Sequence, residues 1–125
     1  MQIQLLGVPT DVNSSYRRGA AAAPAAIRRA WLRYAEFGNS ATESGLEIGS
    51  DLAVVDLGDV RIEEAGADHA VIVEAAARAA RQGPLLSVGG DHSVTFPLVA
   101  GLAQVHGPLN LLHFDAHPDL YHDYE

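Results

Sequence analysis

The feature that most constrains the fold is a set of four short apolar runs separated by longer segments with helical periodicity. The runs are QIQLLGV (2–8), LAVVDLG (52–58), PLLSVGG (84–90) and LNLLHFDA (109–116). Near-continuous apolar runs are typical of parallel strands that are covered on both faces, whereas half-exposed strands alternate apolar and polar residues. The four runs therefore predict four strands of a parallel sheet.

Between these runs, apolar residues recur at helical spacing. The predicted helices cover residues 24–37, the segment from Asp68 to Gly83, and the segment from about Val94 to His106. Asp68 is a plausible N-cap, and glycine followed by proline closes the second and third segments. The right-handed crossover rule then makes the chain a three-layer α/β/α protein with a parallel, doubly wound sheet. At 125 residues we expect a single domain spanning residues 1–125.

Composition excludes several classes of function. Apolar residues make up 48% of the chain, which excludes a disordered protein, and no apolar run approaches the roughly 20 residues of a membrane span. The net charge of −8 argues against nucleic acid or an anionic membrane as a partner and permits a cationic ligand. A cationic ligand is therefore compatible with the charge of the chain.

The absence of lysine and of cysteine excludes further classes of protein and of site. The chain has no Lys, so it contains neither the Gly-Lys pair of a phosphate-binding P-loop nor the lysine of a receiver domain. Cysteine is also absent, which excludes disulfides, thiolate metal sites and a thiol nucleophile. The N-terminus lacks the basic and apolar regions of a signal peptide, and the expected location is the cytoplasm.

Polar side chains of the stretch DAHPD follow the fourth apolar run. In an extended segment Asp115, His117 and Asp119 point to one side, and Pro118 keeps His117 out of the helical region. Carboxylate and imidazole donors without thiolate suit Mn, Fe, Zn, Co or Ni, and the high share of carboxylates favours Mn. The stretch is a candidate metal site, with a solvated acidic turn and an incidental histidine as the alternative.

The stretch GGDHS, residues 89–93, brings another histidine to the same edge of the sheet. Gly89 and Gly90 permit a tight turn, and Ser93 is a candidate cap for the following helix. Ligands of open α/β sheets bind at the carboxyl ends of the strands, where both stretches lie. The predicted metal ligands are His92, Asp115, His117 and Asp119.

Other acids and histidines near the strand ends receive structural interpretations. Asp11, Asp56 and Asp59 lie at strand ends, where an acid usually caps a loop, and are interpreted as structural residues or as residues around the ligands. His113 lies within the fourth run and is interpreted as a core residue or as a residue around the ligands.

The stretches GGDHSVTFPLV and HFDAHPDLY, with GVPTDVNSSYRRGAAAAPAAIRRAW near the start and DLGDV between, resemble the ureohydrolase superfamily of arginases, agmatinases and formimidoylglutamases. The resemblance implies a centre of two Mn²⁺ ions that activates a bridging hydroxide to attack a guanidinium carbon, releasing urea and an amine. It implies that His92 binds one metal, His117 the other, that Asp115 bridges them, and that Asp119 binds the first and orients the hydroxide. His117 and Asp119 are thus the candidate catalytic residues. It also implies a homo-oligomer, a trimer or a hexamer.

Departures from the family pattern bear on the substrate. Arginases typically have an asparagine two places after DAHxD, where this chain has Tyr121, and this favours an agmatinase-like enzyme. The resemblance also implies further ligands in a downstream acidic motif, so we expect the chain to be the N-terminal part of such an enzyme. The alternatives are a non-catalytic metal-binding or structural module, or a family member that acts on arginine or formimidoylglutamate.

Overall fold

The computed structural model describes residues 1–36, 41–63, 69–117 and 119. The main elements are β1 (Gln2–Val8), α1 (Ala23–Glu36), β2 (Ala53–Asp59), α2 (His69–Ala80), β3 (Leu85–Gly89) and α3 (Thr95–His106). Short 3-10 turns, Ala20–Ala22 and His92–Val94, lead into α1 and α3. The first three predicted strands and all three predicted helices are confirmed, while the proposed cap Asp68 lies outside the described residues. No helix in these ranges is long and apolar enough to cross a membrane.

The sheet is parallel, with the strand order β2-β1-β3. The central strand β1 is buried from Gln4 to Val8, as expected of a strand with neighbours on both sides. Its register with β3 ends at the pair Val8↔Gly89. The loop that follows β1 and the turn that follows β3 therefore leave the sheet side by side.

The core lies between this sheet and the helices α2 and α3. Its buried members are Leu6, Val8, Val60, Ile72, Ala75, Ala76, Val94 and Leu98. The two helices approach closely because α2 presents alanines and α3 presents Gly101, where a Cβ would lie 2.5 Å from the carbonyl oxygen of Val73. Close contact between small residues gives a dense core without large aromatic side chains.

Arg28 of α1 ties that helix to the end of β2. Its Nε donates to Asp56 Oδ2 at 2.7 Å, its Nη2 donates to Asp56 Oδ1 and to the carbonyl oxygen of Gly58, both at 3.0 Å, and its Nη1 donates to Asp59 Oδ1. Gly7 leaves room for this arrangement, since a Cβ there would lie 1.9 Å from Asp59 Oδ1. Asp56 and Asp59 thus have the structural role that their positions predicted.

The fourth apolar run differs from the prediction. Residues 109–116 form no strand, and the sheet of the described residues has three strands. Leu111, Leu112 and Phe114 expose 67%, 78% and 88% of their surface. A strand needs a neighbour that accepts its backbone hydrogen bonds and a layer that covers its side chains, and the described part of the chain supplies neither for this run. The prediction of a fourth strand is therefore wrong for this structure.

Candidate metal centre

The turn after β3 is pressed against the loop that follows β1. The backbone N–H of Gly90 donates to Val8 O at 3.1 Å, and that of Asp91 donates to Thr10 O at 2.9 Å. A Cβ on Gly90 would lie 1.8 Å from Thr10 O, so only glycine fits this position. The close approach places His92, the first residue of the 3-10 turn, at the edge of the sheet where the sequence predicted it.

Asp91 caps this 3-10 turn. Its Oδ1 accepts hydrogen bonds from the backbone N–H of Ser93 at 3.0 Å and from the Ser93 hydroxyl. Its Oδ2 accepts the backbone N–H of Asn13 at 2.9 Å, and the Asn13 side-chain amide donates to Ser93 Oγ at 3.1 Å. The predicted capping role of Ser93 is therefore wrong, because the chain enters α3 through this 3-10 turn, whose cap is Asp91, and Ser93 itself lies within the turn.

Asp11 anchors the other end of the loop after β1. Its carboxylate accepts the backbone N–H groups of Gly19 and Ala21 and is 3.2 Å from Arg18 Nη1. The two backbone hydrogen bonds lower the pKa of Asp11 below its usual value. Partial desolvation raises this pKa, and the ion pair with Arg18 lowers it. The role of Asp11 is structural, as predicted.

Two histidines and two aspartates form a compact group beside this turn. One ligand atom from each of His92, His113, Asp115 and Asp119 lies within 4.8 Å of the others. His92 Nε2 is 2.8 Å from Asp119 Oδ2, and His113 Nε2 is 3.6 Å from Asp115 Oδ2. Three of the four predicted ligands are thus brought together, although no fourth strand forms.

His117 lies at the margin of this group. Its Nδ1 is 3.6 Å from Asp115 Oδ1, but its side chain is 79% exposed. Its backbone N–H donates to Asp115 Oδ1 at 3.0 Å. The role of His117 as a ligand of a second metal stays a prediction, and Pro118, proposed to hold it extended, lies outside the described residues.

His113 is a member of the group that the sequence did not predict as a ligand. Its ring stacks on that of His92, with centroids 5.5 Å apart. A signal was present in the sequence, because His113 precedes Asp115 by two residues and therefore shares its side in an extended segment. The apolar run around it favoured a core interpretation instead.

The charge of Asp115 suits metal binding. The backbone N–H of His117 lowers the pKa of Asp115 below its usual value, burial opposes this, and the nearby imidazoles of His113 and His92 lower it further. Asp115 is therefore ionised at neutral pH.

The donor set fits one divalent ion. Two imidazole nitrogens and two carboxylate oxygens, without thiolate, suit Mn, Fe, Zn, Co or Ni. The two carboxylates balance the charge of one such ion. A second ion needs donors beyond this group, and the described ranges present no other cluster of three or more candidate ligands.

The fold and the site define a class: an α/β protein with a His/Asp group of metal-ligand type beyond the carboxyl ends of its parallel strands. The sequence profile of the Arginase family matches residues 1–125, and the chain belongs to this family. The predicted resemblance to ureohydrolases and the predicted arginase-like α/β fold are both confirmed.

Known relatives include both arginases and agmatinases. The chain is 42% identical to a mitochondrial arginase of Medicago truncatula, over 97% of this chain and 38% of the relative. It is 37% identical to an agmatinase of Chromobacterium violaceum, over 98% of this chain and 39% of the relative. The crystal structure of a hypothetical agmatinase from Burkholderia thailandensis superposes with a TM-score of 0.85 at 34% identity, over 99% of this chain and 40% of that one. The chain therefore spans about two fifths of the length of these proteins.

Proposed function

We propose that this chain carries part of the metal site of a hydrolase that converts a guanidino compound into urea and an amine. The observation that carries the proposal is the grouping of His92, Asp115 and Asp119 with His113, within 4.8 Å, in a chain of the Arginase family. In the reaction, water adds to the guanidinium carbon, the bond from that carbon to the substituted nitrogen breaks, and this nitrogen leaves as the amine.

The proposed metal is Mn²⁺, held by the His/Asp group and, in a complete site, accompanied by a second ion. When bound, such an ion acts as a Lewis acid and allows water to serve as the nucleophile at neutral pH. Asp115 contributes a carboxylate that is already ionised. Asp119 Oδ2 lies 2.8 Å from His92 Nε2 and would bind the first ion together with this histidine. His117, the second candidate catalytic residue, lies on the solvent side of Asp115.

A hollow of about 400 Å³ lies beside His92 and offers a place for the substrate. Its walls are residues 13–17 of the loop after β1 and residues 91–93 of the turn after β3. Most residues of both walls carry hydrogen-bonding side chains, and Asp91 offers a carboxylate to a guanidino compound, whereas Arg17 adds a positive charge to the same wall. The net charge of −8 favours the approach of such a cation.

Agmatine is the first candidate substrate. Two observations support agmatine: the presence of Tyr121 in place of the arginase asparagine, and the similarity to the structure of a hypothetical agmatinase from Burkholderia thailandensis. Tyr121 lies outside the described ranges. Arginine is the second candidate, supported by the 42% identity to the Medicago truncatula arginase. A homo-oligomer, as in the trimers or hexamers that the resemblance implies, is part of the proposal.

The decisive experiment is an assay of urea release by Mn²⁺-loaded protein from agmatine and arginine side by side. Two variants accompany it: His117→Ala, which removes a proposed ligand, and His106→Ala, which removes a histidine at the end of α3 outside the His/Asp group. We expect release that is lost in the first variant and retained in the second. Equal release from wild type and His117→Ala would contradict the proposed role of His117.

A non-catalytic metal-binding module is the second candidate function. The observation that favours it is that the described donors form one group and suit one ion. The two functions differ in the number of Mn²⁺ ions bound per chain and in whether urea is released. Two Mn²⁺ ions per chain with urea release support the hydrolase, whereas one weakly bound ion without release supports the module.

A further inference from the structure

We propose that Asp91 is a positioning residue that orients the imidazole of His92 by joining the loop after β1, residues 9–19, to the 3-10 turn after β3. This inference rests on the proposed function in one respect, that His92 is a metal ligand. Asp91 itself lies outside the His/Asp group and holds no metal in the proposal.

Both carboxylate oxygens of Asp91 accept hydrogen bonds at the junction, which is the contact between the loop after β1 and the turn after β3. Oδ1 receives the backbone N–H and the hydroxyl of Ser93, which closes the turn around His92. Oδ2 receives the backbone N–H of Asn13, a residue 78 positions earlier in the chain. Hydrogen bonds to an ionised carboxylate are stronger than those between neutral groups, so this one side chain fastens two separate segments together.

The imidazole of His92 needs such a support. Its side chain is 49% exposed, so packing, which includes the stacked ring of His113, covers only about half of its surface. The Thr95 hydroxyl shares a hydrogen bond of 3.1 Å with Nδ1, and this contact depends on the turn from His92 to Val94 that Asp91 closes. With Nδ1 held by Thr95, Nε2 faces Asp119 at 2.8 Å. Loosening the turn therefore changes which ring nitrogen faces the site.

The junction is tight on the backbone side as well. Asp91 N–H donates to Thr10 O, and Gly90 leaves no room for a side chain against the same carbonyl group. The loop after β1 is thus held against the turn at Thr10 and at Asn13. Its far end is held separately, because Asp11 accepts the backbone N–H groups of Gly19 and Ala21.

The test compares Asp91→Asn, in the turn after β3, with Asp11→Asn, the same chemical change in the loop after β1. Asparagine at position 91 keeps one oxygen for Ser93 but presents an NH₂ group that cannot accept the N–H of Asn13. In metal-free protein we expect amide exchange at Asn13 to rise about tenfold. We also expect the NMR contact between the ring protons of His92 and His113 to weaken. In Asp11→Asn the amide oxygen can still accept the N–H groups of Gly19 and Ala21, which share Oδ2, so exchange should change less and the ring contact should be retained.

A second readout is the affinity for Mn²⁺, followed by the EPR signal of the free ion. Loss of a residue that orients a ligand typically lowers metal affinity by about 10- to 100-fold, and we expect a decrease of this size in Asp91→Asn and less than about twofold in Asp11→Asn. If Asp91→Asn fails to fold, the double variant Asn13→Ala, Ser93→Ala removes the side-chain part of the junction instead.

The possible outcomes separate this inference from the proposed function. An unchanged ring contact together with unchanged Mn²⁺ affinity in Asp91→Asn, despite faster exchange at Asn13, overturns the positioning role. A wild-type protein that binds no Mn²⁺ counts against the proposed function, and the ring contact in metal-free protein then decides the role of Asp91 by itself.

Discussion

The imidazole of His113 stacks on the imidazole of His92, with ring centroids 5.5 Å apart and planes only 6° from parallel. The two residues come from different motifs, GGDHS and HFDAHPD, separated by α3. Their contact, together with the 2.8 Å approach of His92 Nε2 to Asp119 Oδ2, joins the motifs without a shared strand pairing.

Replacement of His113 tests whether Mn²⁺ binding requires its ring nitrogen or only a stacked aromatic ring. We expect His113→Phe, which keeps an aromatic ring for stacking, and His113→Ala to lower the Mn²⁺ affinity by about tenfold or more, because both remove Nε2 beside Asp115. Isothermal titration with Mn²⁺ measures this, with His106→Phe as the control. Wild-type affinity in His113→Phe would show that only the stacked ring is required.

Replacement of Arg28 should destabilise the fold. Arg28→Met removes the ion pairs to Asp56 and Asp59 and leaves two carboxylates close together. Since both aspartates are more than a third exposed, solvent screening limits the loss to about 1–2 kcal/mol of unfolding free energy. Urea denaturation measures the change. The neighbouring exposed Arg29, which makes no ion pair with any described residue, provides the control Arg29→Met, expected within about 0.5 kcal/mol of wild type.

Stability should fall as the solution becomes acidic. Desolvation of Asp56 raises its pKa, but the hydrogen bonds from Arg28 and from the Gly58 N–H outweigh it, so the pKa of Asp56 lies below its usual value. A carboxyl whose pKa is lowered by folding contributes stability above its unfolded pKa of about 4, and this contribution is lost as the pH falls through the lower, folded value. Denaturation between pH 7 and pH 3 should show this loss. Asp56→Asn should show a shallower dependence, and an identical slope would argue against the ion pair.

Gly90 should tolerate no side chain. A Cβ at this position would lie 1.8 Å from Thr10 O, a backbone atom that cannot move without separating the loop from the turn. We expect Gly90→Ala to lower the free energy of unfolding by about 3 kcal/mol. Gly58→Ala is the comparison, because that glycine has a φ of +78° but open space around it. Its cost should be about 1–2 kcal/mol, from backbone conformation alone. Similar losses in the two variants would contradict the close contact.

The apolar side chains after α3 should cause self-association. Leu112 and Phe114 are 78% and 88% exposed, and adjacent exposed apolar groups favour contacts between copies. Sedimentation velocity should show association that increases with concentration, and the double variant Leu112→Ser, Phe114→Ser should reduce it. Leu32→Ser, at an exposed position on α1, serves as the control. A monodisperse wild-type monomer would contradict the prediction.

Much of the fold could be predicted because it follows from local patterns. The apolar runs at residues 2–8, 52–58 and 84–90 each became a strand within one residue of the expected bounds. The helical segments also formed as predicted, except that α2 ends at Ala80, three residues before the expected end. The run at residues 109–116 has a similar share of apolar residues but did not form a strand in this structure. A run of apolar residues favours a strand that is covered on both faces. Whether the strand forms also depends on a neighbouring strand, which the run itself does not specify.

In the candidate site, too, local patterns predicted some features and missed others. Glycines, histidines and aspartates in GGDHS and DAHPD were sufficient to predict a metal-ligand group at the carboxyl ends of the strands, and His92, Asp115 and Asp119 did converge. Sequence by itself thus determined the donor chemistry, the strand and helix order and the membership of the Arginase family, since these depend on residue type and short spacings. Tertiary structure alone decided that His113 joins the group, that Asp91 reaches Asn13 and that Arg28 pairs with Asp56. Each of these is a contact between residues brought together by strand pairing or by loop packing, so no local pattern contains it.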